Sequence, residues 1–78
     1  MPRVFEWKGW RFEFYSLDGA EPPHIHIRRD QKEAKIWLEA IAVARNRRCT
    51  EKELNDLLDV VRLHRQEFLE RWHEHFGD

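Results

Sequence analysis

The 78-residue sequence predicts an α+β fold: an antiparallel sheet of about four strands, in two hairpins, packed by one long or broken C-terminal helix. Two patterns lead to this reading. Residues 1–44 are mainly β, with strict two-residue alternation in Trp10-Arg11-Phe12-Glu13-Phe14 and again in His24 to Arg28. Residues 50–76 instead carry an apolar stripe at helical spacing. The whole of 1–78 reads as a single domain, small enough that a partner or homodimer interface would add to a limited core.

Val4-Phe5-Glu6-Trp7 is the first strand candidate, and Lys8-Gly9 is its hairpin turn. Trp10, Phe12 and Phe14 then share one buried face. Asp18-Gly19 ends the run with a turn signal. Pro22 and Pro23 donate no ladder hydrogen bond, so they precede the next strand or lie at an edge. From His24 to Arg28 the isoleucines Ile25 and Ile27 point one way, and His24, His26 and Arg28 the other. Arg29 to Glu33 is polar and reads as a turn. A fourth strand, Ala34 to Glu39, sets Ala34, Ile36 and Leu38 against Lys35, Trp37 and Glu39.

Two registers keep the apolar faces together. A four-residue loop places His26 opposite Trp37 and His24 opposite Glu39. A two-residue loop places His26 opposite Lys35 and His24 opposite Trp37. Ala40 to Ala44 has no clear period and either finishes the strand or starts a helical turn, and Arg45 to Arg48 reads as a basic loop.

Thr50-Glu51-Lys52-Glu53 is a capping box. Leu54, Leu57, Leu58, Val61, Phe68, Leu69, Trp72 and Phe76 follow on one stripe, which packs on the sheet or forms a dimer seam. An unbroken helix from Thr50 to Phe76 would run about 40 Å at 1.5 Å per residue. That length, and the polar His64 and Arg65 where apolar residues are due, predict a break near Leu63 to Arg65, with a continuous protruding helix as the alternative. Arg65 is a snorkelling side chain at that bend or a cation aimed at the histidine face.

The net charge of −1 conceals an asymmetry. Residues 1–49 carry ten Lys/Arg against seven Asp/Glu, and residues 50–78 four against eight. A basic front suits an acidic or polyanionic partner. The single cysteine, Cys49, forms no internal disulfide, and no run approaches a membrane span or a signal peptide, so the expected location is a reducing cytoplasm. Cys49 beside Arg45, Arg47 and Arg48 is either activated by those cations or an ordinary residue ahead of the helix.

The residues that carry a family resemblance are Phe14-Tyr15-Ser16 with Gly19, Glu21-Pro22-Pro23-His24-Ile25-His26, and Ala34-Lys35-Ile36-Trp37-Leu38-Glu39. Lys52-Glu53-Leu54-Asn55, and Phe68-Leu69 with Trp72, Phe76 and Gly77, also fit. With these the chain resembles the small bacterial family catalogued as domain of unknown function 4160, across nearly its whole length. It departs at Ala40, where members often carry proline. The resemblance implies a small cognate protein partner, because members are often encoded beside a second small protein in what have been proposed as toxin–antitoxin-like pairs. It brings no established catalytic residues.

Three chemistries fit the histidine face. RNA cleavage would use His24 and His26 as acid and base, with Glu39 orienting His24 in the longer-loop register. Arg28 or Lys35 would then hold phosphate, and Trp37 would stack a base. This chemistry is metal-independent, and no cofactor is assigned. Pure binding of a protein partner, antitoxin-like or otherwise, needs only the exposed Trp and Arg beside the imidazoles. His24-x-His26 is also a metal half-site that Glu39 or another histidine would complete, whereas His73-x-His75 on a helix does not share a face. The plain alternative is a polar sheet face that does nothing further.

Overall fold

A computed structural model describes residues 3–77. Five strands form one antiparallel meander in sequence order: β1 (Arg3–Trp7), β2 (Trp10–Glu13), β3 (His24–Arg29), β4 (Lys32–Trp37) and β5 (Ala42–Arg47). Two helices follow, α1 (Glu51–Leu63) and α2 (Arg65–Phe76). The α+β class is as expected, with one strand more.

The β1–β2 turn has φ of 49° at Lys8 and 82° at Gly9. Two successive positive φ values are what a two-residue type I′ hairpin requires. The β3–β4 hairpin also has a two-residue loop, Asp30-Gln31, with Asp30 at φ 55°. Polar character made residues 29–33 look like a longer turn. Instead Arg29 pairs with Lys32 and Arg28 with Glu33 across the ladder. Arg29 and Lys32 extend the hairpin because both reach Glu53 at the start of α1, and the Arg29 guanidinium stacks 4.4 Å over the Trp10 ring.

The fifth strand takes in Arg45 to Arg47 of the expected basic loop, and Arg48 follows it in a bend at φ 65°. The strand's pairing with β4 shifts by one residue: Lys35 faces Arg45, but Ile36 faces Val43, leaving Ala44 as the extra residue of a bulge. A bulge interrupts the two-residue period. The strand is also a mostly exposed edge, so burial imposes no alternation on it.

One sheet face is apolar and meets the helices. Trp10, Phe12, Phe14, Ile25, Ile27, Ala34, Ile36 and Leu38 pack with Leu57, Val60, Val61, Phe68 and Trp72, while Leu54 and Leu58 are partly buried against them. The helical stripe is therefore this chain's own core. Phe68 packs its ring against Phe5 and Phe12 at 5.6 and 5.7 Å. The helix breaks at His64 (φ −106°, ψ 16°), within the expected interval. The longest dimension is 33 Å, shorter than the straight helix of about 40 Å would need. Arg65 Nε donates to the Leu38 carbonyl at 2.9 Å, so it ties α2 to the end of β4 and is not directed at the histidines. Among the described residues, no helix is long and apolar enough to cross a membrane.

Candidate functional site: a carboxylate–imidazole cluster under an open groove

The opposite sheet face carries no helix. Cross-strand pairing builds two rows on it: Glu13, His26, Lys35 and Arg45 in one, and Arg11, Arg28, Glu33 and Arg47 in the next. A loop from Tyr15 to Glu21, containing the short 3-10 turn Asp18–Ala20, folds back over part of this face. The Tyr15 ring stacks on His26 at 3.7 Å and 11°, and its hydroxyl donates to Glu33 Oε2 at 2.9 Å. Burial first, then the hydrogen bond to that carboxylate, pushes the phenol up to about 12.

Under this loop His24 is 0% exposed and His26 3%. Expected on a displayed surface, they lie beneath a lid that two-residue alternation does not reveal. His24 is further enclosed by Trp37 and Trp72, with ring centroids at 5.5 and 5.2 Å. The shorter-loop register is the one formed, so His24 faces Trp37 and His26 faces Lys35. Glu39 lies exposed in the turn after β4, and the longer-loop pairing that would have brought it to His24 does not occur.

The carboxylate that meets the imidazoles is Asp18, whose place in an Asp-Gly turn gives no sign of this contact. Its Oδ1 is 3.1 Å from His24 Nε2 and its Oδ2 is 3.1 Å from His26 Nε2. The Tyr15 amide donates to Oδ2 at 2.8 Å, and His26 Nε2 donates to Oδ1 at 3.2 Å. Burial works to raise the Asp18 pKa, but the Tyr15 amide and the His26 hydrogen bond outweigh it and hold the carboxyl below its usual range. Burial pushes the His26 pKa down, only partly offset by Asp18. His24 Nδ1 donates to the Pro22 carbonyl at 2.9 Å. The two prolines thus set an acceptor where it fixes the His24 tautomer. The only sequence signal for Asp18 was an acidic residue in the turn just before the Pro-Pro-His segment.

The other proposed residues are already engaged. Arg28 Nε donates to Glu13 at 3.0 Å. Lys35 Nζ donates to Glu21 at 2.6 Å and sits 4.9 Å over the Trp37 ring, which covers the face a base would stack on. An open groove of about 530 Å³ remains beside the loop, lined by Tyr15, Leu17, Asp18, Glu21, Lys35 and Arg45, with His26 in its wall. Leu17 stands at its lip, 89% exposed. Cys49 is buried, and burial raises its pKa, so the neighbouring arginines do not activate it.

Asp18, His24 and His26 present ligand atoms that all lie within 4.8 Å of one another, a set able to hold a metal ion. For acid–base catalysis a ring nitrogen must reach substrate. Here His24 Nδ1 is bonded to a carbonyl, both Nε2 atoms face Asp18, and His26 Nδ1 lies 3.4 Å from Glu33 Oε2.

No curated protein matches the chain. No solved structure matches it either. A family profile does, over residues 9–73, a span that includes β2 to β5, the loop, the histidine cluster and most of both helices. The chain therefore belongs to the family described as Domain of unknown function (DUF4160).

Proposed function

We propose that this chain is a cytoplasmic component of a toxin–antitoxin-like pair, and that it works by binding a small, acidic cognate protein through the open face of its sheet. The observation that carries this reading is a set of unused cations. Arg11, Arg45 and Arg47 share that face, and among the described residues none has an ion-pair partner, although most other charges on the face do. Arg45 borders the groove, beside the exposed Leu17. Arginine is enriched at protein interfaces, and the exposed Leu17 adds apolar area beside it.

Burial of both imidazoles supports binding over RNA cleavage, because neither ring is exposed to a substrate. The test is calorimetric titration of the purified chain with the small protein encoded beside it, repeated with Arg45→Glu/Arg47→Glu and with Leu17→Ser. Binding that weakens at least about tenfold in the charge-reversed variant, and that falls steeply with added salt, is expected. No binding, or equal binding by all three proteins, overturns the reading. Growth arrest with RNA loss on expression of the wild-type chain alone, abolished in a folded His26→Ala variant, would replace it with the ribonuclease reading.

A further inference from the structure

Two buried ring nitrogens in the cluster have no hydrogen-bond partner, His24 Nε2 and His26 Nδ1. Orphaned buried polar atoms are rare and costly, and two in adjacent histidines call for one cause. In the neutral ring, His24 donating through Nδ1 to the Pro22 carbonyl leaves a bare lone pair at Nε2. That lone pair is 3.1 Å from Asp18 Oδ1 without being aligned for a hydrogen bond to it. Two acceptors so close, with the ring nitrogen buried, repel unless something positive lies between them. His26 Nε2 approaches the same carboxylate at 3.1 Å from another direction, with its ring at 81° to that of His24.

We propose that Asp18, His24 and His26 form a binding site for a divalent first-row transition cation, with Zn²⁺ the natural occupant. Two ligand atoms at about 2.0–2.2 Å from zinc stand about 3.0–3.4 Å apart at octahedral to tetrahedral angles, and His24 Nε2 and His26 Nε2 lie 3.1 and 3.2 Å from the one oxygen Asp18 Oδ1, within that range. Two imidazoles with one carboxylate select such ions over Mg²⁺ or Ca²⁺. One cation settles both orphans. It takes the His24 Nε2 lone pair directly. It also displaces the proton from His26 Nε2 to Nδ1, where Glu33 Oε2 stands 3.4 Å away as acceptor. Each histidine would then bind through Nε2 and be held from behind through Nδ1, by the Pro22 carbonyl or by Glu33, the outer-shell arrangement that orients metal-binding imidazoles. The groove lined by Asp18 and His26 gives the ion access. This site does not depend on the partner reading.

The experiment uses the full chain, stripped with chelator and shown by circular dichroism to be folded. Zn²⁺ is titrated against a chromophoric competitor, and Co²⁺ binding is followed by visible absorption. Asp18→Asn and His26→Gln are compared with wild type, and His73→Ala/His75→Ala serves as a control for surface histidines. One equivalent of Zn²⁺ per chain is expected, weakened at least about tenfold in either site variant, with cobalt bands that Asp18→Asn loses and the control keeps. If His26→Gln does not fold, Asp18→Asn decides. No zinc binding by the folded wild type at micromolar metal overturns the proposal, as does binding unchanged in Asp18→Asn.

Discussion

Replacing Asp18 with alanine removes the acceptor for the Tyr15 amide and for His26, and the only carboxylate within 3.2 Å of both imidazoles among the described residues. The Asp18 side chain is 12% exposed, so water cannot readily take its place. A hydrogen bond to a charged group contributes about 1.5–3 kcal/mol, and bonds that share one acceptor do not add fully. The expected cost in metal-free protein is therefore about 3 kcal/mol. For a domain of this size each kcal/mol lowers Tm by about 4–8 °C, giving a drop of about 12–24 °C. Asp18→Asn keeps an oxygen for the Tyr15 amide and should lose about half as much. The assay is urea unfolding with chelator present, where the midpoint should move and the slope should not. A loss below about 1 kcal/mol for Asp18→Ala, or equal losses in the two variants, would refute the view that this carboxylate holds the loop over the sheet.

Acid should destabilise the protein in two stages. The pKa of His26 is lowered from 6.5 on folding, so below that value the unfolded chain takes up the proton first, and stability falls with pH until the folded value is reached. Asp18 is lowered from 3.8, so its contribution is present above that pH and is lost as pH falls through its depressed value. Urea midpoints from pH 8 to pH 3 should show both stages, and His26→Gln should remove the upper one; an unchanged profile in that variant would count against the assignment. Gly19→Ala should destabilise by about 1–2 kcal/mol, because the added Cβ would come 2.9 Å from Phe76 Cδ1, and Phe76→Leu in the same chain should recover part of the loss in thermal melts. Arg65→Met should cost about 1–3 kcal/mol by orphaning the buried Leu38 carbonyl; a Tm unchanged from wild type would show that the bond contributes nothing.

Most of the framework was legible because burial on one face enforces a period. Trp10, Phe12 and Phe14, the isoleucines of β3 and the stripe from Leu54 to Phe76 all lie where alternation or helical spacing puts them. The capping box at Thr50 and Glu53 is local chemistry and forms as read, with both reciprocal bonds present. The fifth strand was not legible, since a bulge at Ala44 and an exposed edge erase the period that would have revealed it. The loop length between β3 and β4 was ambiguous because both registers preserve the apolar pairing. Glu53, 24 residues beyond Arg29, supplies the contacts that extend the shorter-looped hairpin.

The sequence by itself determined that His24 and His26 share a strand face behind two prolines, because side-chain direction in a strand depends only on position. It could not show what covers that face. Tyr15 and Asp18 reach the histidines only after their loop folds back over the sheet, a long-range event set by stacking, two hydrogen bonds to the Asp18 carboxylate and the fit of Gly19 against Phe76. Tertiary structure therefore converted a pair of imidazoles expected on display into a buried pair with a carboxylate between them, beside an open groove.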